Sequence, residues 1–315
     1  MPPAAPPSRR PPLWGWLLAG LAALAVAAAL IVRATGDGGS PGPAGALTAT
    51  APATAPVAPS PPPVSAERRA MAELSLRGTP IYRGSERRKL VALTFDDGPG
   101  RETTDVIGQL ARLRVPATFF VIGRQIAGRE SELRAMVAHG HEVGVHTWSH
   151  PDLTTLKRPR VRSEVLGTRN LIRRVTGVDP GLLRPPYGAV DRAVLDDIAS
   201  ERMVAALWDV DALDWHADAG PGKIAATVLR EVRPGSIILM HDGPVGRPGA
   251  TVRALPRIVR GLRARGLEPV TVSELLRRDP PPEQPPPARA TTTAPSDEGP
   301  AAPAHDGSSG SVQKR

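Results

Sequence analysis

Apolar and polar positions follow several different rhythms along this chain. Residues 13–32 are uncharged and mostly apolar, a run about as long as the ~20 residues a helix needs to cross a bilayer. Arg9 and Arg10 precede it, and Trp14 and Trp16 stand at its start. Positive charge before the span and tryptophan at its edge predict a cytoplasmic stretch over residues 1–12 and an extracytoplasmic remainder. The alternative is a cleaved signal peptide, which would leave a secreted protein. Its apolar part should be about 7–15 residues and end on small residues, whereas this run is longer and passes into Ile31, Val32 and Arg33. A retained single-pass anchor in the cell membrane is therefore the expectation.

From 33 to 87 the chain turns to Pro, Ala, Thr and Gly with few large apolar residues. Such a composition buries too little surface to offset chain entropy and predicts an extended linker. The tail, 279–315, opens with two proline triplets and has the same character. Between them, from 88 to 278, short β-branched runs alternate with longer stretches of helical period. Strands are predicted at 89–95, 117–122, 142–145, 203–208, 236–240 and 269–272, and helices at 104–113, 131–139, 161–175, 192–200, 222–232 and 250–265. This repeated alternation predicts a single parallel α/β domain, either a barrel or an open sheet, with chemistry at the C-terminal ends of the strands.

Composition changes this picture in two places. With 37 prolines concentrated outside the middle of 315 residues, one domain of about 190 residues is a better count than two. With no cysteine, any metal site must be built from imidazole and carboxylate. The net charge of +9 comes from arginines scattered over helix faces, without the aromatic-interleaved basic stripe that tracks a nucleic-acid backbone. Nucleic acid is not the expected partner, and an anionic wall or membrane surface suits the charge better. Nothing in the sequence specifies an oligomeric state.

Polar clusters fall where the strand rule places them. Asp96 and Asp97 end the first strand ahead of Gly98-Pro99, His146 follows the third, Arg184 follows Leu182-Leu183, Asp211 and Asp214 follow Trp208, and His241 ends the strand before it. Each alone has a plainer reading, as a solvated turn or a structural histidine. Adjacent carboxylates repel unless a cation offsets them, so one could bind a metal while the other stays free as a base. His146 and His150 are four apart, which on a helical turn would put both imidazoles on one ion. With Asp97 they make a ligand set that leaves positions open for water and substrate. His139 and His141, around Gly140, read as turn residues.

These motifs, Thr94-Phe-Asp-Asp-Gly-Pro99, His146-Thr-Trp-Ser-His150, Arg184-Pro-Pro-Tyr187, Asp211-Ala-Leu-Asp-Trp215 and Leu239-Met-His241, resemble in order and spacing those of the polysaccharide deacetylases, carbohydrate esterase family 4 or the NodB-homology domain. The resemblance spans nearly all of the predicted folded region, and no motif position departs from it. It implies a distorted (β/α) barrel, a deformed TIM-like barrel of about seven strands. It also implies roles: Asp96 as general base, Arg184 orienting it, and Asp97, His146 and His150 holding one divalent ion, zinc above cobalt. His241 would be the general acid paired with Asp214, the Tyr187 amide an oxyanion donor, and Trp215 and Leu239 walls of the acetyl pocket. The implied activity is deacetylation of N-acetylglucosamine-type residues in a polysaccharide, either peptidoglycan or chitin-like oligomers. An O-acetyl (xylan) esterase and a silent, membrane-tethered glycan-binding module are the alternatives, and the intact Asp96 and His241 speak against the second.

Overall fold

The computed structural model describes residues 66–282. The predicted anchor at 13–32, the linker up to 65 and the tail beyond 282 lie outside the described residues. No helix among the described residues is long and apolar enough to cross a membrane.

Eight strands and eight α-helices alternate along the described chain. The strands are β1 (Leu90–Gly98), β2 (Thr118–Val121), β3 (Glu142–Val145), β4 (Leu182–Leu183), β5 (Val204–Ala205), β6 (Val210–Asp211), β7 (Ile237–His241) and β8 (Glu268–Val270). The helices are α1 (Ala66–Leu76), α2 (Thr103–Leu113), α3 (Glu130–Ala138), α4 (Arg158–Thr176), α5 (Arg192–Ser200), α6 (Pro221–Glu231), α7 (Ala250–Ala264) and α8 (Val272–Arg278). The sheet runs β5-β4-β3-β2-β1-β7-β6, with β8 paired to β1. Every pairing between these strands is parallel. The result is a distorted (β/α) barrel.

β1 is the centre of the sheet, and its alternation separates two layers. Val91, Leu93 and Phe95 join the core shared with α2, α3, α4 and α7. Leu90 and Ala92 point to the other face, where Phe120, Leu182, Val204, Ala206 and Ile237 meet α1 and α8. Because side chains alternate at period two, Thr94 and Asp96 follow Leu90 and Ala92 on that inner face. The inner face therefore changes from apolar to polar toward the C-terminal end of β1. Phe95 and Phe119 stack with ring centroids 5.2 Å apart, which ties β1 to β2 on the outer side.

The structure departs from the sequence reading at several elements. Residues assigned to the linker are folded: α1 buries Met71 and Leu74 within the core that α8 also joins. Beyond it, Ile81 bridges Ala206 and Arg83 bridges Ser236, so this segment stands between the β5 and β7 sides of the sheet. The predicted strand at 203–208 is only Val204–Ala205, and β6 follows it separately. The strand predicted at 269–272 ends at Val270, because Thr271 caps a helix by accepting from the Glu274 N–H at 3.2 Å. A Thr with Glu three residues later is a capping-box pattern. The predicted tail begins inside the fold, since the buried Asp279 accepts from the Ser85 hydroxyl and from the Arg88 N–H at 3.1 Å.

Candidate active site

The site is assembled at the strand ends from residues that are far apart in sequence. Asp96 is buried, and its Oδ1 accepts from Arg184 Nη1 at 2.8 Å. Arg184 is wholly buried. Three further donors go to Thr94 Oγ1 at 2.7 Å and to the carbonyls of Ala206 and Leu207 at 2.9 and 3.1 Å. Its guanidinium also lies 4.1 Å over the Phe120 ring and 5.5 Å from that of Trp208. Burial pulls the Arg184 pKa down and the Asp96 charge opposes this. A buried cation with four of its five N–H groups engaged is thus committed to holding one oxygen of Asp96.

Asp97, His146 and His150 meet beside it. One ligand atom from each lies within 4.8 Å of the others. His146 Nε2 is 3.5 Å and His150 Nε2 3.3 Å from Asp97 Oδ1. That oxygen is buried yet has no hydrogen-bond partner among the described residues. The other nitrogen of His146, Nδ1, contacts the Arg184 carbonyl at 2.6 Å, the arrangement that fixes a ligating imidazole and aims Nε2 at an ion. Burial raises the Asp97 pKa, but His146, with help from His241 and His150, outweighs it and brings it to about 2. Burial, followed by the His146 charge, lowers His150 to about 4. His146 is also depressed by burial but is drawn above its ordinary value by Asp96 and Asp97. An orphaned carboxylate oxygen facing two imidazole nitrogens fits a divalent metal.

The two histidines are not on a helical turn, as their spacing predicts. β3 ends at Val145, and Thr147 and His150 both have φ of 63°, so a left-handed loop brings the second imidazole back to the first. Seven non-glycine residues among those described have positive φ, and five of them, Asp97, Thr147, His150, Tyr187 and Leu213, lie in the motif loops. The other two, Arg114 and Arg202, follow helix ends. Backbone strain of this kind collects where the surrounding fold over-determines a functional geometry.

Across the site, His241 Nδ1 lies 2.8 Å from Asp214 Oδ1. Asp214 Oδ2 also accepts from the His241 N–H at 2.9 Å and from the Thr251 hydroxyl at 2.6 Å. Burial lowers the His241 pKa, but the hydrogen bond and charge of Asp214, joined by Asp96 and Asp97, raise it to about 9. The ring is charged below that value and loses its proton as pH rises through it. For Asp214→Asn the expected result is an alkaline limb of kcat/KM displaced to lower pH, read from a pH–rate profile, because the neutral amide no longer favours imidazolium. Tyr187 lies in a turn whose hydrogen bonds run from Gly188 N–H to Pro185 O and from Ala189 N–H to Pro186 O, leaving its own N–H outside both. Its ring stands edge-on to His150 at 4.8 Å. Trp215 is part-exposed, stacks on His216 at 3.8 Å and points Nε1 at Asp211 Oδ2, 3.4 Å away, while Leu239 is buried.

The structure thus brings Asp96, Asp97, His146, His150 and Arg184 together and pairs His241 with Asp214, while Tyr187 adjoins His150 and Trp215 adjoins Asp211. His139 and His141 lie at the opposite end of β3, where buried His141 accepts from the Ala117 N–H at 3.2 Å. Two further residues, Thr251 and Asp242, carry the site without a motif to mark them, and Thr94, which opens the first motif, does so without a role assigned to it there. Thr94 bridges Arg184 to the sheet, and Thr251 fixes Asp214. Asp242, buried beside the Thr103 hydroxyl that donates to it, is raised to about 7, chiefly by burial and then by Asp97 and Asp96. Only burial next to the motifs distinguishes Thr251 and Asp242, and that is not readable before folding.

The polysaccharide deacetylase family profile matches residues 83–205. Over 190 residues the chain is 43% identical to a chitooligosaccharide deacetylase of Bradyrhizobium sp. (strain ANU 289), covering 56% of this chain and 86% of that protein. A solved structure of a peptidoglycan N-acetylglucosamine deacetylase superposes with a TM-score of 0.60 at 31% identity, over 62% of this chain and 91% of the other. A pseudoenzyme of the same CE4 family from Bacillus anthracis superposes with a TM-score of 0.59 at 30% identity, over 63% and 69% of the two chains. This chain belongs to the polysaccharide deacetylase family. It is a hydrolase of acetylated polysaccharide.

Proposed function

We propose that the protein removes N-acetyl groups from N-acetylglucosamine-type residues of a cell-wall glycan, peptidoglycan foremost, with one divalent metal ion. The observation that carries this reading is the placement of the Asp97-His146-His150 ligand set between a clamped carboxylate, Asp96, and an imidazole paired with its own carboxylate, His241-Asp214. Zinc suits two imidazoles and a carboxylate best among common ions, and cobalt would substitute.

The ion, when bound, supplies Lewis-acid polarisation of the acetyl carbonyl and acidifies water in the site. Asp96 takes the proton of the attacking water through the oxygen that Arg184 leaves free. Arg184 holds that carboxylate in one orientation, which is what a base that must meet the attacking water requires. The Tyr187 N–H donates to the oxyanion as the carbonyl carbon becomes tetrahedral. His241, with Nδ1 engaged by Asp214, presents Nε2 to the amide nitrogen and protonates it, so that an amine rather than an amine anion departs. Trp215 and Leu239 form the wall against the acetyl methyl.

Mass spectrometry of purified peptidoglycan, of chitin oligomers and of acetylated xylan after incubation with the protein tests the substrate. Loss of 42 Da acetyl increments from peptidoglycan, in the roughly one-group steps expected of single hydrolyses, supports the reading. Release only from acetylated xylan would replace it with ester cleavage.

The preference for peptidoglycan rests on location. The apolar run at 13–32 with Arg9 and Arg10 before it supports a single-pass anchor, N-terminus inside, with the catalytic unit outside and next to the wall. Protease added to intact cells is expected to digest the catalytic unit from a chain that fractionates with membranes. A chain protected from protease, or a mature form that begins after Val32, would overturn this placement.

A further inference from the structure

The two histidines of the ligand set are secured in different ways. His146 continues from β3, its N–H bonds Val121 O at 2.9 Å, and its ring is held by the Arg184 carbonyl. Among the described residues the His150 ring has no such hydrogen bond outside the ligand set and meets only the edge-on Tyr187 ring there, at 4.8 Å. Its N–H donates to Thr147 Oγ1 at 3.0 Å, and it depends on the left-handed loop to bring its ring to Asp97. The loop carbonyls of Thr147 and Trp148 accept from Gly123 and Arg124 N–H at 2.9 and 3.0 Å.

The loop's donors turn the other way, toward one residue. Glu164, in α4 and 1% exposed, accepts from the Trp148 and Ser149 N–H groups at 2.9 and 2.7 Å through Oε2. Its Oε1 accepts from the Ser149 hydroxyl at 2.9 Å and pairs with Arg160 at 2.8 Å. Two successive amides converging on one carboxylate oxygen define a loop conformation that the chain does not adopt by itself. The neighbouring surface accommodates it, since a Cβ at Gly123 would come within 2.5 Å of Trp148 Cε3 and Gly167 lies under the same ring.

We propose that Glu164 is the positioning residue for His150, a carboxylate template on α4 that sets the loop conformation and thereby the affinity of the site for its metal. This rests on the reading of Asp97, His146 and His150 as ligands. In Glu164→Gln the amide keeps shape and volume but has one acceptor oxygen and two donors. It cannot receive two N–H groups on one oxygen and the Ser149 hydroxyl and Arg160 on the other.

The test is zinc affinity, measured on the full chain in detergent after removal of metal, by competition with a chromophoric chelator, alongside the Tm of the metal-free protein. Glu164→Gln is expected to weaken zinc binding on the order of 10- to 100-fold, the usual loss for a residue that supports a ligand. Ser149→Ala, which removes one contact at a part-exposed position and folds whatever the fate of the first variant, is expected to weaken it about threefold, an estimate for one lost hydrogen bond. Arg160→Ala keeps both amide contacts and the Ser149 hydroxyl bond on Glu164 and should leave zinc affinity within about twofold of the original, since the loop itself loses no hydrogen bond. Affinities unchanged in Glu164→Gln and Ser149→Ala, with or without a fall in Tm, would make Glu164 a packing residue and overturn the proposal. Failure of the unaltered protein to bind zinc would instead overturn the ligand assignment beneath it.

Discussion

Asp97→Ala is expected to reduce hydrolysis to the limit of detection and to leave the protein unable to recover it with excess zinc. Asp97 Oδ1 is the atom that both imidazole nitrogens face, at 3.5 and 3.3 Å, and it is the sole anionic oxygen of the ligand set. Without it two imidazoles remain, and these hold a divalent ion far less tightly than two imidazoles and a carboxylate. Chelation of the unaltered protein should have the same effect, reversed by adding zinc or cobalt. His139→Ala and His141→Ala, at the far end of β3, should change neither metal content nor rate. Metal content measured on purified protein checks all of these, and full occupancy in a His146→Ala/His150→Ala double variant would refute the assignment.

The acid and the base are expected to separate when the leaving group is changed. Asp96 serves the attacking water, so Asp96→Asn should slow amide and ester substrates alike, by roughly 10²-fold or more. His241 serves the leaving group. An amine must be protonated to depart, whereas a phenolate leaves unaided, so His241→Ala should impair amide cleavage far more than cleavage of an aryl acetate. A histidine that only packed at a strand end would lower both rates in equal proportion and reduce Tm as well. Rates on the two substrates, with a melting curve for each variant, distinguish these outcomes. Equal losses in His241→Ala would remove it from the role of general acid.

The motif residues are legible in the sequence for a definable reason. In a parallel α/β layout each strand ends at the same face, so carboxylates and imidazoles that follow apolar runs at Phe95, Val145, Leu183, Trp208 and Met240 are brought to one place without knowledge of any contact. Spacing served less well at His146 and His150. Four residues apart suggests a helical turn, but the structure uses two left-handed residues stabilised by a carboxylate 14 positions further along the chain. Glu164 looks like any charged position in a long amphipathic helix, and its burial follows only from where α4 packs. Thr251 and Asp242 are hidden for the same reason.

Errors at the edges of the domain have a compositional cause. Residues 66–87 follow a proline-rich stretch and themselves contain few large apolar side chains, so a rule based on mean apolarity assigns them to the linker. Met71, Leu74 and Ile81 are sufficient to seat them. At the other end Thr271 and Glu274 carried a capping signal, but the β-branched run before them suggested that the strand continued. Asp279 runs directly into a proline triplet in sequence yet ties Ser85 and Arg88 to the end of α8.

The segment at 81–84 also determines how the enzyme would tolerate being cut. Ile81 donates to Ala205 O at 2.8 Å and accepts from Leu207 N–H at 2.7 Å, while Gly84 donates to Gly235 O at 2.8 Å. Cleavage of the chain upstream of residue 66 would leave these bonds in place. A fragment beginning at Arg88, where composition alone would start the domain, would instead expose backbone groups beside Ala205 and Leu207. Unpaired strand edges recruit other strands, so such a fragment would be lost to self-association before it could be assayed, and its inactivity would be misread as a defect in the active site.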